Sequence, residues 1–147
     1  MFHQKQFGNY CRCHAINNFL GYEAISYFNF DKECDNFDKK NNMPLISKNK
    51  YYFYNNGGND NIFGFIFDKL NYKCKLETII NYKNNLVDIN INKTKGFIIF
   101  NNHHTWCIKK FQEKFYLIDS LKWMVKSLNN YELKKYLMNQ KGIIIIN

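Results

Sequence analysis

At 147 residues, the chain has the usual size of one domain and leaves little room for a second. Its 46% hydrophobic and 18% aromatic content is ample for a buried core and excludes a disordered polypeptide. A net charge of +9 raises the question of an acidic partner. The lysines, however, fall in scattered pairs (Lys39 and Lys40, Lys109 and Lys110, Lys134 and Lys135) rather than in one long run. No RNP-like, zinc-finger or helix-turn-helix signature accompanies them, so the charge reads as solvated surface and not as a nucleic-acid site. Asn, Lys, Ile, Tyr and Phe dominate while Ala, Arg and Pro are scarce. That bias matches an AT-rich genome more than a functional choice.

Five cysteines stand at positions 11, 13, 34, 74 and 107. The number is odd, and Met1-Phe2-His3-Gln4-Lys5 is not a charged region leading into an apolar stretch, so no signal peptide is expected. Cys11 and Cys13 are too close for a CxxC redox or zinc pair, and no second pair completes a site. Free thiols in a reduced, intracellular protein are the expectation. No apolar run approaches the roughly 18 residues a membrane-spanning helix needs, so a soluble chain is expected.

The first helical pattern runs from Cys11 to Tyr22, where Ala15, Ile16, Phe19 and Leu20 form one apolar stripe. Gly8 and Asn9 precede it as loop and cap, and Gly21 is placed to end it. Tyr22 to Lys50 is mixed, with the only proline at Pro44, and reads as one or two short helices and a loop. Asn55-Asn56-Gly57-Gly58-Asn59-Asp60 is a turn signal leading into a helix from about Ile62 to Leu70. The period then changes. Cys74 to Ile80, Gly96 to Asn101, Trp106 to Lys110, Lys114 to Ile118 and Gly142 to Ile146 are short, rich in Ile, Phe and Tyr, and separated by turns. They read as strands, the middle ones as a hairpin-based antiparallel meander. Ser127 to Asn139 reads as one more helix, through Leu128, Tyr131, Leu133, Tyr136 and Leu137. A helical first half packed on a mostly antiparallel sheet is an α+β arrangement in one domain, residues 1–147.

A thiol becomes a good nucleophile only as thiolate. A helix N-terminus favours that anion through its dipole and unpaired amides, and a neighbouring imidazole favours it by taking the proton. Cys11 meets the first condition by position. For the second, His103 and His104 sit at the mouth of the Trp106 strand, and Asp119 lies fifteen residues beyond His104 at the end of the following strand. In a two-stranded hairpin those ends lie side by side, so Asp119 could bond the His104 imidazole, fix its tautomer and stabilise the imidazolium. Gln6, five residues before Cys11, can supply a side-chain amide to an oxyanion. Each element alone has an ordinary reading: a cysteine in a helix is usually a small core residue, and a His-His pair before a strand is usually a surface turn. The combination is what points to catalysis.

At these residues the sequence resembles the Josephin family of deubiquitinating cysteine peptidases, which are papain-like. Phe2-His3-Gln4-Lys5-Gln6-Phe7-Gly8-Asn9-Tyr10-Cys11-Arg12-Cys13-His14-Ala15-Ile16-Asn17-Asn18-Phe19-Leu20 is similar to that family's opening block. There, "H-x-K-Q-x-G" leads to the catalytic cysteine and then to "H-x-x-N-N-L-L". Gly58-Asn59-Asp60-Asn61-Ile62-Phe63-Gly64-Phe65 resembles the family's "G-N-x-D-x-x-G-F", and His104 to Ser120 matches the spacing of its histidine, hairpin and "N-S" or "D-S". The resemblance implies Gln6 as oxyanion-hole donor, Cys11 as nucleophile, His104 rather than His103 as base, and Asp119 as the orienting acid. His14, Asn17 and Asn18 fall on family positions read as supports around the nucleophile helix. The sequence departs from the pattern at Thr105, which follows His104 where the family has Trp, the indole here being Trp106. It also departs in a shorter segment before Gly58, where better-known members carry a long helical arm that helps grip ubiquitin.

The expected function is hydrolysis of isopeptide or peptide bonds at the C-terminus of ubiquitin or a ubiquitin-like modifier, needing no metal or cofactor. Phe7, Tyr10 and Trp106 are candidate walls of a narrow cleft for a tail ending in two glycines. The partner is ubiquitin or a ubiquitin-like protein, the chain a monomer, its location the cytoplasm or nucleus, in a setting that would suit a virus, parasite or symbiont. Two alternatives stand beside this. One is a papain-like peptidase of the double-glycine leader type, and the other a ubiquitin-binding module without turnover.

Overall fold

The computed structural model of the chain describes residues 1–6, 10–41, 62–71, 76–80, 89–101 and 103–147, with 76–80 described by their backbone. Three helices come first: α1 (Cys11–Leu20), α2 (Tyr27–Lys40) and α3 (Ile62–Lys69). Strands β1 (Leu76–Ile80), β2 (Gly96–Phe100), β3 (Thr105–Phe111), β4 (Lys114–Ile118) and β5 (Lys126–Leu128) follow, then α4 (Asn130–Met138) and β6 (Gly142–Ile146). The strands form one six-stranded sheet in the order β1-β6-β2-β3-β4-β5, and every pairing in it is antiparallel. This is the expected α+β arrangement.

Alternation along the strands divides the sheet into two faces. Ile98, Phe100, Cys107, Ile118, Ile144 and Ile146 pack with α1, α2 and α3. Their neighbours Phe97, Ile99, Trp106, Ile108, Phe115, Ile143 and Ile145 pack with Leu133 and Leu137 of α4. β2 and β6 are buried along their whole length, which is why they read as unbroken apolar runs.

The β3–β4 hairpin closes through a two-residue turn, Gln112-Glu113, with both residues in the left-handed region at φ 46° and 62°. This is the backbone that lets a two-residue loop follow the twist of its strands. At the hairpin's open end, His104 enters β3 and Asp119 leaves β4.

α1 lies along β3. At its C-terminal end, Gly21 adopts φ 85° and returns its N–H to the Asn17 carbonyl at 2.8 Å. There the end of the Lys109 side chain lies against Gly21, where a Cβ would come 2.5 Å from Nζ. A Cβ on Gly96 would lie 2.2 Å from the Ile108 carbonyl oxygen and 2.7 Å from the Phe19 ring. The helix therefore ends beside Lys109. Ten helical residues rise about 15 Å, and the four strand steps from Lys109 back to Thr105 cover about 13 Å. Those lengths bring Cys11, the first residue of α1, to the start of β3.

Two readings from sequence change. Tyr22 to Lys50 contains a single 14-residue helix, α2, in its described part. Its stripe is only Phe30, Cys34 and Phe37, with Ser26 capping the Asn29 N–H at 3.2 Å, so charged solvent-facing residues obscure the period. Ser127 and Leu128 belong to β5, not to the last helix, which starts at Asn130 with Asn129 capping the Glu132 N–H at 2.8 Å. The turn at Gly57-Gly58, Pro44, Cys74, Phe7 and the Gly8-Asn9 cap lie outside the described residues.

Candidate active site

α1 is buried on all sides from Cys11 to Phe19, and its buried residues include Arg12, His14, Asn17 and Asn18. Polar groups withdrawn from water in this way require internal partners, and the partners explain how the site is held. Asn17 accepts the backbone N–H of Ala24 and of Ile25, each at 3.0 Å, and donates to the Ile25 carbonyl at 2.9 Å. The loop after α1 is thereby clamped to the helix. Gln4 Oε1 receives the Asn17 amide at 3.0 Å and meets His14 Nδ1 at 2.9 Å, while Asn18 donates to the Gln4 carbonyl at 3.2 Å. The other His14 nitrogen meets the Tyr27 hydroxyl at 3.0 Å. His14, Asn17 and Asn18 thus fix the segment that leads to Gln6.

That segment also runs against the end of β4. His3 Nε2 lies 2.8 Å from the Asp119 carbonyl, and the Gln6 N–H donates to the Ser120 carbonyl at 2.9 Å. The Ser120 hydroxyl donates to Gln6 Oε1 at 3.0 Å. This bond assigns the carbonyl end of the Gln6 amide to Ser120 and leaves Nε2 as the donor end. In the sequence Ser120 stands out only as part of a pattern, and its hold on Gln6 connects residues 114 apart, beyond any local signal.

The hairpin delivers the other half. Asn101 Oδ1 accepts the backbone N–H of His103 and of His104, each at 2.8 Å, which fixes the chain just before β3. His104 Nε2 sits 2.6 Å from Asp119 Oδ1, with both side chains 13% exposed. The same Asp119 oxygen accepts the Leu121 N–H at 2.9 Å. His104 also hydrogen-bonds Cys11. With Nε2 on the carboxylate, Nδ1 is the nitrogen that serves the thiol. Cys11, His104 and Asp119 are therefore brought into one chain of contacts, and His103, exposed in the preceding bend, is not part of it.

The electrostatics follow from that arrangement. Burial pushes the Cys11 thiol up, but the His104 hydrogen bond and charge, the Arg12 guanidinium and a Thr105 backbone bond outweigh it and leave the pKa lowered. Burial pushes His104 down, and the bonds and charges of Asp119 and Cys11 outweigh that in turn, raising it to about 9. Asp119 is held low, burial being outweighed by His104, the Leu121 amide and Lys122. A lowered thiol beside a raised imidazole favours thiolate and imidazolium over the neutral pair. By contrast, burial dominates at Cys13, pushed up to about 12, and it raises Cys34 and Cys107 too. Those three are inert core thiols.

The aromatic candidates are occupied internally. Trp106 is two residues beyond His104 and so on the same side of the strand; its indole stacks on the imidazole with centroids 5.4 Å apart and planes 17° apart. Its Nε1–H donates to the Tyr136 hydroxyl on α4 at 2.8 Å, and the residue is 7% exposed. The indole thus supports the imidazole from the α4 side, despite its displacement by Thr105. Tyr10 packs on Tyr27 at 4.3 Å and donates its hydroxyl to Asp31 at 2.9 Å.

No curated protein matches the chain. The family model described as Josephin matches residues 6–146, nearly the whole length, from Gln6 through α1 and the β3–β4 hairpin to the last residue of β6. The chain belongs to the Josephin family of deubiquitinating cysteine peptidases.

Proposed function

We propose that the chain is a thiol-dependent deubiquitinase, hydrolysing isopeptide or peptide bonds at the C-terminus of ubiquitin or a ubiquitin-like modifier. The observation that carries this reading is His104 bonded to Cys11 on one side and, at 2.6 Å, to Asp119 on the other. The Cys11 thiolate attacks the C-terminal carbonyl carbon of the modifier. The amide of Gln6 and a backbone N–H at the start of α1 hold the resulting oxyanion. Imidazolium His104 gives its proton to the lysine amine as the C–N bond breaks, leaving a thioester on Cys11. Neutral His104 then takes a proton from water, whose oxygen attacks the thioester. The C–S bond breaks, the thiolate–imidazolium pair is restored, and the modifier leaves as a carboxylic acid that gives its proton to solvent. Asp119 holds the imidazole in orientation and stabilises its cationic form.

The test is labelling by ubiquitin bearing a C-terminal electrophile, alongside a panel of ubiquitin-like probes. One equivalent should couple to the wild-type chain and none to Cys11→Ala. Wild-type protein that ignores every probe while its thiol titrates normally would remove the modifier assignment.

A further inference from the structure

The loop between β4 and β5 exposes a group of large apolar side chains that the hydrolytic steps leave unused. Leu121, Trp123 and Met124 are 58%, 84% and 80% exposed. Isolated apolar residues on a surface are ordinary, but a contiguous group around a concavity marks a binding surface. Here the concavity is a groove of about 530 Å³ whose lining includes Asp119, Lys122, Trp123, Met124, Val125 and Lys126. Lys5 places its ammonium 3.4 Å above the Trp123 ring. The groove thus combines apolar side chains with Lys122 and Lys126, and Lys5 adds a third cation at Trp123. Its one acid, Asp119, is committed to His104 and the Leu121 amide.

Position decides which part of a substrate would meet it. His104 lies between Cys11 and Asp119, and the groove starts at Asp119, on the far side of the imidazole from the nucleophile. In acyl transfer the imidazolium protonates the departing amine, so the leaving group lies over His104. The acyl side, with the modifier's tail, lies on the other side of the thiol.

We propose that this groove is the leaving-group subsite, taking an acidic and apolar segment of the protein whose lysine carries the modifier. The inference rests on the hydrolase reading above and adds the chemistry of the conjugated protein. Apolar side chains of that segment pack on Trp123 and Val125, and its carboxylates face Lys5, Lys122 and Lys126. A basic segment is disfavoured by the same cations.

Three substrates separate the possibilities: ubiquitin isopeptide-linked to a peptide rich in Glu and Leu, ubiquitin linked to a Lys-rich and Arg-rich peptide, and ubiquitin carrying an aminocoumarin. The wild-type chain should prefer the acidic peptide by about tenfold in kcat/KM, shrinking with added salt. Lys126→Glu should reduce that preference to about threefold or less. Trp123→Ala should depress the acidic conjugate about tenfold more than the aminocoumarin. Turnover of all three at equal rates, or equal losses on peptide and aminocoumarin, would overturn the subsite and leave the hydrolase standing. Self-association abolished by Trp123→Ala would assign the surface to a second copy and also overturn it. No turnover of any substrate would remove the hydrolase and the subsite together.

Discussion

The two faces of the sheet are built on opposite principles. Toward α4, Phe97, Ile99, Ile108, Phe115, Ile143 and Ile145 meet Leu133 and Leu137 in a core that, among the described residues, is apolar apart from the Trp106–Tyr136 bond. Toward α1, the core surrounds a helix with buried Arg12, His14, Asn17 and Asn18, which requires a partner for almost every polar atom. Apolar burial stabilises in proportion to area and tolerates small shifts. Hydrogen-bonded burial contributes little net stability but permits only one arrangement. Precision is therefore required on one side of the sheet more than on the other. The α4 face anchors the sheet, and the α1 face positions Cys11 against His104.

The largest effects should fall on Cys11 and His104. Cys11→Ala and His104→Ala should each lower kcat/KM on an aminocoumarin conjugate on the order of 10⁴-fold or more. The urea midpoint of Cys11→Ala should stay near wild type, because Cys11 is a small buried residue, whereas His104→Ala takes away the imidazole partner of Asp119 and should lower it. A double variant no worse than either single one would show that the two act as a unit. A residual rate within about tenfold of wild type in either single variant would contradict the assigned roles.

Stability should separate the faces next. Leu133→Ala empties a fully buried position on the α4 side and should cost about 2–5 kcal/mol in urea unfolding, with kcat of the remaining folded protein close to wild type. Asn17→Ala leaves the Ala24 and Ile25 amides and the Ile25 carbonyl without their partner. It should cost about 3 kcal/mol and also lower kcat, since Asn17 and Gln4 share the bond that holds the segment leading to Gln6. If kcat moved equally in both variants, the proposed division between anchoring and positioning would fail.

This division also explains what the sequence made legible. Cys11, His104 and Asp119 could be read because a helix start and the two ends of one hairpin are local features, and a tight turn at Gln112-Glu113 fixes which residues meet. Strands β2, β3, β4 and β6 could be read because burial on one or both faces leaves period-two or continuous apolar runs, whereas β5, three residues with only Leu128 buried, could not. The supports could not. Ser120 on Gln6, His3 on the Asp119 carbonyl and Tyr136 under Trp106 are single contacts between distant segments, and polar pairing of that kind leaves no periodicity. α2 hid its length because three buried positions among fourteen carry its stripe. Trp106 was legible as an aromatic near the site, but its side of the strand was decided by one inserted residue.

A change of pH should act on the catalytic pair before it acts on the fold. His104 is raised to about 9, so the imidazolium persists through neutrality, and the alkaline limb of kcat/KM should fall near that value. The sign for stability is the same: a raised histidine stabilises fully below its ordinary value of about 6.5 and loses that contribution as pH climbs through the folded value. Asp119→Asn removes the carboxylate that sustains the imidazolium, so the alkaline limb should move to lower pH. A limb that stayed in place would mean that Cys11 alone sets it.

The smallest effect comes from the residue where the faces meet the site. Thr105 is fully buried, and its hydroxyl has no hydrogen-bond partner among the described residues. Its backbone, not its side chain, bonds the Cys11 sulfur. Valine has the same shape and removes an unsatisfied polar atom, and β-branching suits the strand. Thr105→Val should therefore raise stability by about 1 kcal/mol with kcat/KM within about twofold of wild type on the aminocoumarin conjugate. A clear loss of kcat at normal or improved stability would mean that the hydroxyl is held in reserve for the reaction, which would extend the polar design of the α1 face to one more atom.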